Sequence, residues 1–267
     1  MTFSHALVTE TLQLSPRLRR ISLLVEDPES LAIPPGADCA VGVYFDASTS
    51  GHGRTYSVRR HDDDRIDLDV VLHTGGPGSS WAQNTGVGDR VGLDHARAWY
   101  RPPPDIAWQL LVTDLAGLPA TARIIEESRP AISTTVIVEA ADHHDLDYLP
   151  VRPGVTVQPS LGSGNGITPS RLPDLVRQLD LPSRGYCWFG GEAAASREVR
   201  KHLREQNWTI DQYDIAGYWR LGSEAWDARF AVIGDDVAEV YRRAIAQGKS
   251  DKVASEEFDD ALEQAGL

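Results

Sequence analysis

Cysteine is scarce: Cys39 and Cys187 are the only two among 267 residues. They stand far apart in no metal-like spacing, which excludes a disulfide framework, a zinc ribbon and an iron–sulfur cluster. Both read as reduced, buried thiols. Runs of about 18 apolar residues are missing, and the opening MTFSHALVTETLQL has no basic segment leading into an apolar stretch, so neither a membrane span nor a signal peptide is expected. Basic residues are outnumbered, 26 Lys and Arg against 39 Asp and Glu, for a formal charge of −13. That balance argues against a nucleic-acid binder, which needs a dense cationic footprint, and leaves any anionic ligand to local basic clusters. Internal repeats and low-complexity segments are also absent. A cytoplasmic, soluble protein is expected.

What is present changes rhythm twice. Up to residue 105 the chain consists of short alternating or β-branched runs (HALVTETLQL, RRISLLVE, CAVGVYF, RTYSVRR, RIDLDVVLH, GDRVGLD) between Gly, Pro and Asp turns, the pattern of an antiparallel barrel or sandwich. After RPPPD, strands alternate with helices: WQLLVTD, LPATARIIEE, STTVIVEA, VTVQPS, SRLPDLVRQL, GYCWFGG and EAAASREVRKHLREQ. Such alternation predicts a parallel α/β sheet. From Ser223, an apolar stripe at three- and four-residue steps (Trp226, Phe230, Ile233, Val237, Val240, Tyr241, Ala244) predicts a helix ending near Gly248, and a second stripe through Phe258 and Leu262 a terminal helix ending at Gly266. The expected domains are residues 1–105, 106–222 and 223–267, the last an ordered part of the fold.

Two segments carry candidate chemistry. In GRTYSVRR, Arg54 and Tyr56 share one side of a strand and Thr55 and Ser57 the other. An arginine can grip a phosphate while a tyrosine ring lies on a planar cofactor, yet a plain surface strand would look the same. In DLDVVLHTGGPGSSW, a strand carrying Asp69 and Val71 ends at His73 and runs into a glycine-rich turn and a helix start. Gly75, Gly76, Gly78, Ser79 and Ser80 form a candidate phosphate cradle; the alternative is a glycine turn with a serine helix cap.

Taken in order, RTYSVRR, DLDVVLH, GPGSSWA, GDRVGL, LPATARI, WFGGEAAASREVRKHL and GYWRLG resemble the siderophore-interacting protein family, FAD-dependent ferric-siderophore reductases, over roughly residues 5 to 222. The resemblance implies a FAD-binding β-barrel, then a nicotinamide-binding α/β domain of ferredoxin-reductase type, then the helical extension. It implies FAD contacts at Arg54, Thr55, Tyr56, Ser57, Asp69, Val71, His73, the glycine turn and Trp81. NADPH or NADH contacts follow at Thr113, Asp114, Leu118, Pro119, Glu192 and Arg197, and a ferric siderophore is the implied substrate, bordered by Arg97, Tyr218 and Arg220. The reaction asks for no acid or base residue: a hydride brings two electrons, Fe(III) accepts one, and the flavin mediates.

The chain departs from the family pattern in two places. Thr113-Asp114-Leu115-Ala116-Gly117-Leu118-Pro119-Ala120 stands where the family has Gly-Asp-Glu-Thr-Ala-Leu-Pro-Ala, which predicts a β-branched side chain crowding the nicotinamide turn. His95-Ala96-Arg97-Ala98 replaces Gly-Pro-Arg-Gly. Arg197, Arg200, Lys201 and Arg204 share a helical face, read as solvated or as a nucleotide-phosphate site, while the SLGSGNG loop lacks the basic residue often found there, so NADPH is favoured only slightly over NADH. DHHDLD reads as an acidic surface loop, with no metal ligand assigned. PRLRR (Arg17, Arg19, Arg20) reads as an edge-strand guard or as part of an anion entrance. A monomer or weak homodimer is expected.

Overall fold

The computed structural model describes residues 3–46 and 53–267, apart from the side chain of Glu224. The first part of the chain builds β1 (Ser4–Ser15), β2 (Leu18–Val25), the short helix α1 (Pro28–Leu31), β3 (Ala40–Tyr44), β4 (Gly53–Asp62), β5 (Arg65–Val71), α2 (Pro77–Asn84) and β6 (Arg90–Arg97). Alternation sets the inner face: Ile21, Leu23 and Val25 of β2 are buried in the barrel core while Ser22 and Leu24 between them are only partly covered, and Leu18, out of phase, is buried against the sheet. The strands close into an antiparallel barrel in the order β1-β2-β5-β4-β3-β6, with β6 returning to β1.

Closure leaves β2 no free edge, so Arg17, Arg19 and Arg20 guard none. Arg17 pairs with Asp142, Arg19 donates to the carbonyls of Gln83 and Thr85, and Arg20 grips Asp69. An entrance for an anion is equally unsuited to side chains committed in this way.

The next stretch builds β7 (Trp108–Thr113), α3 (Leu118–Glu127), β8 (Ser133–Ala140), α4 (His143–Leu146), β9 (Val155–Leu161), α5 (Leu172–Arg177), β10 (Tyr186–Glu192), α6 (Ala193–Glu205) and β11 (Tyr213–Trp219). Parallel ladders join β10 to β7, β7 to β8 and β8 to β9, in the sheet order β11-β10-β7-β8-β9. β10 is buried on both faces through its first six residues, as a central parallel strand must be. At the sheet edge β9 is largely exposed, and Pro159 removes one donor from it. DHHDLD contains α4, whose capping box joins Asp142 and Asp145.

Barrel and sheet form one compact unit, Met1–Tyr218. Charged and polar side chains pin them together: buried Arg59 makes a two-pronged contact with Glu126 at 2.6 and 2.7 Å, and Arg123 donates to the Val58 carbonyl at 2.9 Å and to the Cys39 sulfur at 3.0 Å. Cys39 and Cys187 are both free and buried. The second unit, Trp219–Leu267, contains α7 (Ser223–Ala246) and α8 (Asp251–Gln264). Its own core gathers Val237, Leu262 and Leu267 with Phe230 and Phe258, and the rings of Trp226 and Phe230 stack at 4.7 Å. Gly248 and Gly266 end the two helices at positive φ, as the sequence spacing predicts. Among the described residues no helix is long and apolar enough to cross a membrane.

Candidate functional site

On β4, Arg54 and Thr55 are exposed, Tyr56 is half-buried and Ser57 is buried. Among the described residues, the exposed Arg54 guanidinium donates only to its neighbour's carbonyl, Gly53 O at 2.8 Å. The Tyr56 ring lies beside Phe45 and Trp81, which stack on each other at 4.9 Å, and burial pushes its phenol far above the usual tyrosine range. A Cβ on Gly78 would fall 2.2 Å from the Tyr56 hydroxyl, so Gly78 is glycine to admit that phenol.

The turn before α2 holds Gly75 at φ 81° and Gly76 at φ 84°, where a side chain is strained. Gly76 is the N-cap of α2 and offers no side-chain acceptor, so the first amides of the helix keep their capacity for an anion. Arg54 shares a strand face with Tyr56, whose phenol touches this turn, so the basic group and the amides lie on one side of the barrel.

Some predicted contacts are committed elsewhere. The Ser79 hydroxyl accepts from His73 N at 2.9 Å and donates to His73 O at 2.8 Å, so it closes the turn instead of lining a cradle. Asp69 is buried, with both oxygens held by Arg20 at 2.7 Å and one also accepting from Tyr148. Val71 packs against the apolar cluster shared by barrel and sheet. His73 and Ser80 remain exposed.

Across the barrel wall, Arg97 donates to the Thr55 hydroxyl at 3.1 Å and covers the Trp99 ring at 4.6 Å. The unusual HARA segment is accommodated by a β-bulge opposite Ala40 and Gly42. His95 takes φ 48°, and its Nδ1 lies 2.6 Å from Asp94, which secures a conformation that glycine would take freely. Gly36 makes room for Ala98, whose Cβ would otherwise be 2.8 Å from a side chain there. Deeper in, the hydroxyls of Ser57 and Tyr218 are both buried without a hydrogen bond of regular geometry. Burial above all pushes the Tyr218 phenol up and Asp38 adds to it, while the adjacent Ser57 hydroxyl and Arg97 guanidinium act in the opposite sense. Tyr218 also meets Trp188 edge-on, with ring centroids 6.0 Å apart. Arg220 belongs to the C-terminal unit, where its guanidinium lies 4.2 Å over the Trp226 ring.

The sheet places a crevice where its strand order reverses, outside the carboxyl ends of β7 and β10, the position at which open α/β sheets take ligands. The residues predicted to touch a nucleotide mostly build this crevice from behind. Thr113, Asp114, Leu118 and Pro119 are buried. Asp114 accepts from Ala116 N and from Glu192 N, both at 2.9 Å, and so ties the two strand ends together. Glu192 caps α6 by accepting from Ala195 N. Arg197 is half-buried, and Arg200 is buried, so the four basic residues of α6 do not form one solvated face.

Sequence reasoning passed over Glu139. This carboxylate, 1% exposed near the end of β8, accepts from the hydroxyls of Ser163 and Ser170, each at 3.0 Å, and from Arg171 N at 2.5 Å. Gly164, at φ 62°, leaves room for it. Asn165 then accepts from Leu115 N at 2.9 Å, which fastens the glycine-rich loop to the β7 turn. The available signal was an acid closing an apolar strand in STTVIVEA.

Comparison with known proteins gives two family matches: the siderophore-interacting protein profile over residues 106–222, and the siderophore-interacting FAD-binding domain over residues 28–98. The NADPH-dependent ferric-chelate reductase of Escherichia coli is 27% identical over 168 residues, 61% of this chain and 63% of that protein, so the chain spans less than two thirds of this relative's length. The siderophore-interacting protein of Acinetobacter baumannii has the same fold, with a TM-score of 0.74 at 22% identity, covering 89% of this chain and all of that one. A ferredoxin NADP+ reductase of Neisseria gonorrhoeae, solved with FAD and NADP, shares the fold at a TM-score of 0.64 and 15% identity, over 82% of this chain and all of that one.

Proposed function

The chain belongs to the siderophore-interacting protein family, and from that premise we propose that it is a FAD-dependent reductase of ferric siderophores that draws its electrons from a nicotinamide nucleotide. The observation that carries the reading is the buried Ser57 hydroxyl, without a regular partner, on the same strand as exposed Arg54 and as Tyr56, whose phenol reaches Gly78 just past an uncapped glycine turn. Those groups fit the polar ring, the pyrophosphate and the close backbone approach of a dinucleotide flavin.

In this reading Arg54 and the first amides of α2 take the pyrophosphate, and the Tyr56 and Trp81 rings supply apolar faces. Ser57, Thr55 and Arg97 orient the polar edge of the ring system. Bound there, the flavin supplies the conversion of a two-electron hydride into the single electrons that Fe(III) accepts. Asp114 and Thr113 hold the strand ends that would receive the nucleotide, and exposed Arg97 offers a cation to an anionic ferric chelate. Reduction weakens the hold of hard oxygen ligands on iron, which frees it as Fe(II).

An anaerobic titration tests the proposal. The purified chain should take up FAD, its flavin absorbance should bleach on adding NADH or NADPH, and the colour should return when a ferric siderophore is added. A chain that binds no FAD would sink the reading. A reduced flavin that ignores ferric chelates but reoxidises with a quinone or an electron-carrier protein would replace the acceptor.

A further inference from the structure

The carboxyl edge of the sheet has a direction. Tyr218, on the last strand β11, lies against Ser57 of the barrel. The redox end of any dinucleotide lying along this edge therefore points toward β10 and β11, and its adenosine end toward β8 and β9. With strands about 4.8 Å apart, the five span roughly 19 Å, enough for an extended dinucleotide.

At the adenosine end the chain presents the loop that follows β9. From Val155, where β9 begins, to Ser170 the chain contains no Lys, Arg or His. Leu161 and Ile167, 40% and 60% exposed, are the large apolar side chains that this loop leaves uncovered. The loop is held in shape from below by Glu139, through Ser163, Ser170 and Arg171 N, and sideways by Asn165. Asp142, Asp145 and Asp147 lie just past the end of β8. A 2′-phosphate placed here lies over the loop that covers the Glu139 carboxylate and near the carboxylates of Asp142 and Asp147 that flank α4; Arg17 is already paired with Asp142, and the other basic side chains nearby are exposed Arg171, His143 and His144. Dinucleotide sites that take a 2′-phosphate supply a basic group at the end of the second strand or beyond it, whereas sites for the unphosphorylated ribose do not.

We infer that the loop 161–170 is an adenosine subsite in which Leu161 and Ile167 contact the adenine, and that the absence of a cation within it makes NADH the preferred donor over NADPH. This inference rests on the nicotinamide reading given above, and it runs against the slight sequence-level preference for NADPH.

The test uses the full chain loaded with FAD and measures NAD+ and NADP+ binding by calorimetry, alongside anaerobic flavin reduction by NADH and NADPH. NAD+ should bind about tenfold more tightly than NADP+, since the 2′-phosphate lacks a charge-assisted partner. Ile167→Ser should weaken both nucleotides about equally, by roughly 5-fold, through lost apolar contact. Leu161→Arg should shift the ratio toward NADP+ by about tenfold. Tighter binding of NADP+ in the wild type overturns the inference, all the more so if Arg171→Ala abolishes that preference. Unchanged binding of both nucleotides to Ile167→Ser overturns the subsite. If neither nucleotide binds while FAD is bound and reducible by dithionite, the nicotinamide donor itself fails, and this inference with it.

Discussion

The hydroxyl of Thr113 lies 3.1 Å from the carbonyl oxygen of Gly190 and 2.9 Å from that of Asp114, and its one proton, shared between them, joins the carboxyl ends of two adjacent parallel strands. Its side chain is fully buried, with the hydroxyl set between Gly117 and Gly190 at the strand ends. Gly117 completes the arrangement: a Cβ there would stand 2.3 Å from the Thr113 hydroxyl and 2.1 Å from Gly190 O. The family's glycine at position 113 is thus answered by a glycine four residues later.

The first prediction follows from that burial. Thr113→Gly, alone or with Leu115→Glu and Ala116→Thr, should not speed reduction of the flavin by a nucleotide. It should instead cost about 2 kcal/mol, from the lost hydrogen bond, the vacated volume and the added backbone freedom, lowering the melting temperature by about 4–8 °C. Stopped-flow reduction and a thermal melt check both halves; a faster first half-reaction with unchanged stability would restore the crowding argument.

How much the sequence discloses depends on how far away each side chain's partner lies. The alternation in RRISLLVE and the helical period in LPATARIIEE are local signals, and barrel, sheet and helical hairpin all follow from them. Asp69, Ser79 and Glu192 sit inside ligand-like motifs, but their partners are Arg20 and Tyr148, the His73 backbone and the α6 amides, which only the folded chain brings near. Arg17 and Arg20 mislead for the same reason: their carboxylates are 125 and 49 residues away. The motif residues Arg54 and Thr55 stay exposed and so leave their side chains open to a ligand.

The second prediction concerns Arg59 and Glu126. The guanidinium side is 8% exposed and the carboxylate side 43%, so the two partners are not equivalent. Arg59→Met keeps the volume and leaves a solvated carboxylate, at a cost of about 1 kcal/mol or less. Glu126→Ala strands a buried cation with only Tyr148 for company, at a cost of about 2–3 kcal/mol. Melts of the two variants should differ by several degrees in that order, while Arg90→Ala, which breaks an exposed pair with Glu26, should stay within about 1–2 °C of wild type. Equal losses for Arg59→Met and Glu126→Ala would contradict the asymmetry.

The third prediction turns on Asp38, a fully buried carboxylate at the junction of barrel and sheet. It accepts from Trp99 N at 3.0 Å and from the Trp188 indole at 3.0 Å. Burial is the largest influence on it and raises its pKa above the ordinary 3.8; the backbone donors Tyr100 and Trp99 and the Trp188 indole oppose that rise without cancelling it, and Asp214 adds to it. A carboxyl whose folded pKa is raised contributes stability that is complete below its unfolded value and is lost as pH climbs through the folded value. In Asp38→Asn the side-chain amide imitates the neutral acid at every pH. The stability of wild type relative to that variant should therefore be greatest near about pH 4 and should shrink, or reverse, by about pH 7, with other titrating groups cancelling in the difference. Paired melting curves across that range measure the gap. A gap that widens with rising pH would mean that the three donors outweigh burial and that Asp38 works as an anion, holding the indole of Trp188 and the Trp99–Tyr100 backbone by charge.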